Sequence, residues 1–134
     1  MDFKIEIALD QEDGLDIEDV LGTIRISDYS GSIVEEDTYL DSWLYALIIN
    51  LPGIERREID TVDLVDEPNP LEFLYIDNGL LMRYKDKTIN IENKDVLRQA
   101  IGQAAQDLLS HFGKSAETSK NEMLSVISKF ARSN

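Results

Sequence analysis

Apolar side chains at residues 3–9 recur at every second position. Phe3, Ile5, Ile7 and Leu9 share one face, and Lys4 and Glu6 the other. A period of two marks a half-buried strand. A second strand is predicted at about 20–27, with Ile24 and Ile26 inward and Arg25 outward. The acidic residues 10–19 around Gly14 read as a loop, and Asp28-Tyr29-Ser30-Gly31-Ser32 as a turn. At Leu40 the period lengthens. Leu40, Leu44, Leu47, Ile48 and Leu51 form one stripe of a helix. Thr38 reads as its cap, with Asp41 three residues on, and Pro52-Gly53 as its stop.

Residues 59–65 predict a strand, and Glu67-Pro68-Asn69-Pro70 irregular chain, because two prolines remove two donors. Asn78-Gly79 is a hairpin signal. A two-residue loop there would pair Ile76 with Leu81, Tyr75 with Met82, Phe73 with Tyr84 and Glu72 with Lys85. A second turn at Asp86-Lys87 would pair Tyr84 with Ile89 and Met82 with Ile91. Both registers gather Leu71, Phe73, Tyr75, Met82, Tyr84, Ile89 and Ile91 on one face of a three-stranded meander. Asn93 then caps a helix over about 94–112, with Val96, Leu97, Ala100, Ile101, Ala104, Leu108 and Phe112 on its apolar side and Gly113 at its end. Ser119 and Glu122 open a third helix through about 131, lined by Met123, Leu124, Ile127, Phe130 and Ala131. The joint at 113–118 leaves that helix expected to dock loosely. The order is ββαββββαα: an α+β fold in which an antiparallel sheet of about six strands packs on two to three amphipathic helices, in one domain spanning 1–134.

Charge changes this picture. The chain carries 27 acidic and 13 basic residues, a formal charge of −14. Residues 1–80 hold 21 acids and 4 bases, whereas residues 81–134 hold 6 and 9. Such a field repels nucleic acid and anionic membranes and speeds encounters with basic proteins. With no cysteine there is neither a disulfide framework nor a cysteine-based zinc site. The start, MDFKIEIALDQEDG, is unlike a signal peptide. The longest apolar run, Trp43 to Ile49, is too short to cross a membrane. A cytoplasmic location is expected.

Candidate chemistry is sparse. His111, the single histidine, sits at the edge of the second helix, where solvent is its expected surrounding. The run Asp10, Glu12, Asp13, Gly14, Asp16, Glu18 invites a calcium reading, but counted from Asp10 the glycine stands at position five and Leu21 at position twelve, against the EF-hand pattern. Neighbouring acids such as Asp66-Glu67 and Glu35-Glu36-Asp37 are expected to diverge in turns, whereas acid–base pairs must converge on a cleft. Gly113-Lys114-Ser115 lacks the upstream glycine of a phosphate-binding loop and follows a helix. Neither a catalytic residue, nor a metal, nor a cofactor is expected.

Two apolar spots remain. Tyr45 and Ile49 lie opposite the Leu44/Leu51 stripe of the first helix, and Tyr39 and Trp43 form another pair four apart. Either a neighbouring helix covers them, or they form an aromatic patch flanked by Asp37 and Asp41. Leu74, Ile76 and Leu81 fall on the meander face opposite the core, to be covered by a helix or by another chain, including a second copy. Small size, acidity, absent cysteine and absent catalytic signature are together similar to those of bacterial immunity proteins and antitoxins, a likeness of composition. The expected function is therefore a module that binds a basic protein partner. A carboxylate- or metal-dependent enzyme and a homodimer or other homo-oligomer subunit are the alternatives.

Overall fold

The computed structural model describes residues 3–10, 20–65, 67–112 and 121–133. The acidic loop residues 11–19, Asp66, Gly113-Lys114-Ser115 and Ser119 lie outside the described residues. The elements are β1 (Lys4–Leu9), β2 (Leu21–Ser27), β3 (Ser32–Tyr39), α1 (Leu40–Glu55), β4 (Thr61–Val62), β5 (Leu71–Ile76), β6 (Gly79–Tyr84), β7 (Lys87–Ile91), α2 (Lys94–Ser110) and α3 (Glu122–Ser133). The fold is α+β. Its strands form two antiparallel sheets instead of one, ordered β1-β2-β3 and β4-β5-β6-β7. They meet where β3 runs beside β7. There the Asp28 carboxylate accepts the Ser30 and Gly31 N–H groups at 2.7 and 2.8 Å and, through Oδ2, the Asn90 N–H at 2.8 Å. Partial burial would raise this carboxyl, but the N–H donors, led by Asn90, hold it below its ordinary value.

β3 is the strand that periodicity missed. Gly22 pairs with Thr38 and Ile24 with Glu35, so Glu36 and Asp37 both stand opposite Thr23. Asp37 takes up this bulge with φ 52°. The extra residue shifts the alternation: Ile33 and Thr38 are both buried although five apart. Thr38 therefore lies within β3 and does not cap α1. Tyr39 occupies the cap position without a side-chain bond, and the Leu40 N–H is taken by the Val20 carbonyl at 2.9 Å.

α1 also runs past its expected stop. It passes through Pro52 and Gly53 and ends at Glu55. Arg57 has φ 61°, its N–H donates to Ile54 O at 3.0 Å, and the Glu58 N–H donates to Gly53 O at 2.9 Å. Those bonds are a Schellman stop, with arginine where glycine is usual. Gly53 is needed for room, since a Cβ there would come within 2.3 Å of the Ile59 side chain.

The meander forms with the expected faces and a shifted register. The turn residues are Asp77-Asn78 and Lys85-Asp86, each one residue earlier than predicted, and Asp77 and Lys85 adopt φ 53° and 57°. Phe73 accordingly pairs with Met82, Glu72 with Arg83, and Met82 with Ile89. A slip of two keeps every face. Leu71, Phe73, Met82, Tyr84, Ile89 and Ile91 are buried, joined by Leu80. Gly79 serves close approach: a Cβ there would meet the Ile91 and Glu92 carbonyl oxygens at 2.8 and 2.9 Å. The expected strand at 59–65 shrinks to Thr61–Val62.

Both sheets and all three helices share one hydrophobic core cluster. α1 is the central helix, packed on β2 and β4 and flanked by α2 and α3. Asn93 caps α2 by accepting the Val96 N–H at 3.0 Å. Asn121 caps α3, accepting the Met123 and Leu124 N–H groups. Leu124 and Ile127 of α3 are fully buried, and Asn121 donates to Asp41 at 3.0 Å. Among the described residues, no helix is long and apolar enough to cross a membrane.

Candidate functional site

The first expected patch, around Tyr39 and Trp43, is taken inside. Trp43 is 1% exposed, its indole N–H donates to Thr38 Oγ1 at 2.8 Å, and its ring meets Tyr84 edge-on at 5.2 Å. The cause is the position of α1: wedged between two sheets and two helices, it turns both flanks inward. Asp41 is buried as well, accepting the Ser42 N–H and the Asn121 amide. Tyr39 and Tyr45 are partly buried, Asp37 is exposed, and Ile49 is 51% exposed. What reaches solvent from this patch is a strip at Ile49.

Around Trp43 lies a polar cluster that periodicity did not reveal. Thr38 Oγ1 donates to Glu67 at 2.7 Å, and the Tyr84 hydroxyl donates to Glu35 at 2.7 Å. Lys85 pairs with Glu35 at 3.2 Å and lies over the Tyr84 ring. Burial, then Glu35, then Glu67 push the Tyr84 hydroxyl well above the ordinary tyrosine range. It therefore stays protonated, a donor fixed on carboxylates. Each donor finds its acceptor within the cluster, so the arrangement joins β3, α1, β6 and the chain before β5. The signal that could have revealed it was Glu35 in step with Ile33 on one strand face.

The second expected spot lies at the surface. Leu74 and Ile76, on the outer face of the four-stranded sheet, are 51% and 52% exposed; Leu81, paired with Leu74, is partly buried. A shallow depression beside Leu74 is lined by Asp60, Thr61, Glu72 and Arg83. Glu72 and Arg83 pair across the strands at 3.3 Å, both about half exposed, so their bond is weak. At the other end stands Asp77, in the turn after Ile76. The apolar pair is thus set between acids.

His111 is exposed at the end of α2, its backbone N–H on Leu108 O. Among the described residues, no three His, Asp or Glu side chains are grouped to hold a metal ion. Comparison of the chain with protein-family models, with curated proteins and with solved structures returns no match.

Proposed function

We propose that the protein is a binding module, of the regulatory or immunity type, that takes a basic protein partner on the outer face of its four-stranded sheet. One observation carries the reading: Leu74 and Ile76 stand half exposed, two residues apart, with acids at both ends. Covering the exposed half of each contributes roughly 1 kcal/mol. The acids, within a chain of formal charge −14, favour a basic partner and speed its approach.

The test is affinity capture from the native host with wild type and a Leu74→Asp/Ile76→Asp variant, the variant's fold being checked by circular dichroism. Wild type should retain a basic protein at about 50 mM salt and release it at about 500 mM. The variant should retain none. Equal retention by both proteins, or no basic protein on wild type at low salt, would contradict the reading.

A further inference from the structure

β1 ends the three-stranded sheet; among the described residues only β2 pairs with it. The Asp10 N–H donates to Leu21 O at 3.1 Å, which fixes the phase of the ladder. Paired residues alternate in an antiparallel ladder, so the backbone groups of Lys4, Glu6 and Ala8 turn to β2 and those of Ile5 and Ile7 turn to the other edge, which no strand among the described residues pairs.

α2 runs beside this edge, leaving a groove of about 460 Å³. Its helix wall is a stripe at Val96, Ala100, Gln103 and Asp107, and its strand wall is residues 3–6. The stripe is about 16 Å long at 1.5 Å per residue, the length of roughly five residues of extended chain. Phe3, Val96 and Ala100 are partly buried against the core and floor the groove. Three acids line it, Glu6, Glu92 and Asp107, against one base, Lys4.

We propose that this groove takes an extended basic peptide segment of a partner protein as a strand added to that edge of β1. An open edge is a template for a further strand. Alternate side chains of that strand would meet the apolar floor, and the others, if Lys or Arg, the acids. A second copy fits poorly, because it brings −14 to −14. The groove is a separate site from the Leu74/Ile76 face.

The probe is a fluorescent octapeptide of alternating lysine and valine, read by anisotropy at about 50 mM salt. The same peptide N-methylated at successive residues keeps its charge but cannot donate backbone bonds. Gln103→Trp fills the groove from an exposed position, its fold checked by melting. The unmodified peptide should bind wild type and the Leu74→Asp/Ile76→Asp variant alike. It should bind at least about tenfold more tightly than the methylated peptide, an alternating glutamate–valine peptide, or itself on Gln103→Trp. It should also slow exchange of the Ile5 and Ile7 amides. Equal binding of the methylated peptide, no effect of Gln103→Trp, no binding of the lysine–valine peptide, or Ile5 and Ile7 amides already slow without peptide overturns the proposal. Because the Leu74→Asp/Ile76→Asp variant keeps this groove, failure here and failure of the outer-face reading are told apart.

Discussion

Tyr84 holds its proton because burial and two neighbouring carboxylates oppose its ionisation. The unfolded chain has the ordinary value, 10.0. Above that pH the unfolded chain releases the proton and the folded one keeps it, so stability is intact below pH 10 and falls above it, by up to about 1.4 kcal/mol per pH unit. Tyr84→Phe should flatten this fall, leaving the part due to Tyr75, whose hydroxyl is also raised, by burial and Asp60. Urea unfolding at about pH 9 and about pH 11 checks this; equal losses in both proteins would contradict it. Two positions of the β5–β6 hairpin, one in its turn and one at the start of β6, make a second residue-scale prediction. Gly79→Ala puts a Cβ against backbone oxygens and should cost about 1–3 kcal/mol. Asp77→Gly relaxes a left-handed residue and should be neutral or stabilising by up to about 1 kcal/mol. Effects of the same sign and size would mean that the turn sits at Asn78-Gly79 after all.

Between elements, the clearest tie is Arg98 on α2, which grips Glu55 of α1 with two bonds of 2.8 Å and lies over Phe130 of α3. The Arg98 hydrogen bond, ahead of opposing burial, holds the Glu55 carboxyl below its ordinary value of 4.5. Its contribution is present above pH 4.5 and is lost as pH falls further. With the arginine side chain 38% exposed, screening limits the tie. Arg98→Met should cost about 1 kcal/mol near pH 7, and less near pH 3. A cost unchanged by pH would assign the effect to packing.

How far these elements could be read from the chain depends on the range of the forces that set them. The meander faces and the half-exposed Leu74/Ile76 pair were legible because alternation survives an even slip in register. β3 was hidden because its bulge breaks the period. The end of α1 was hidden because Arg57 takes a conformation usually left to glycine. The Thr38–Glu67 and Tyr84–Glu35 bonds span 29 and 49 residues, beyond any local pattern. The sequence left open whether the second side of α1 is covered or exposed, because only the neighbouring elements, which no local pattern shows, decide that Trp43 is buried while Ile49 is 51% exposed.

For the whole molecule, a formal charge of −14 means that folding gathers like charges. Raising salt from about 20 to about 300 mM should therefore raise Tm, while the same change weakens capture of a basic partner. A Tm that falls over this range would contradict the self-repulsion. The opposed signs separate the cost of the charge to the fold from its use at a surface.

Methyl NMR with the captured basic partner tests the partner surface most directly. Leu74, Ile76 and Leu81 methyl signals should shift or broaden as it is added, while those of buried Ile33 and Ile89 stay in place. Shifts confined to Ile49, or none at Leu74 and Ile76 at saturation, would contradict the assignment of this face.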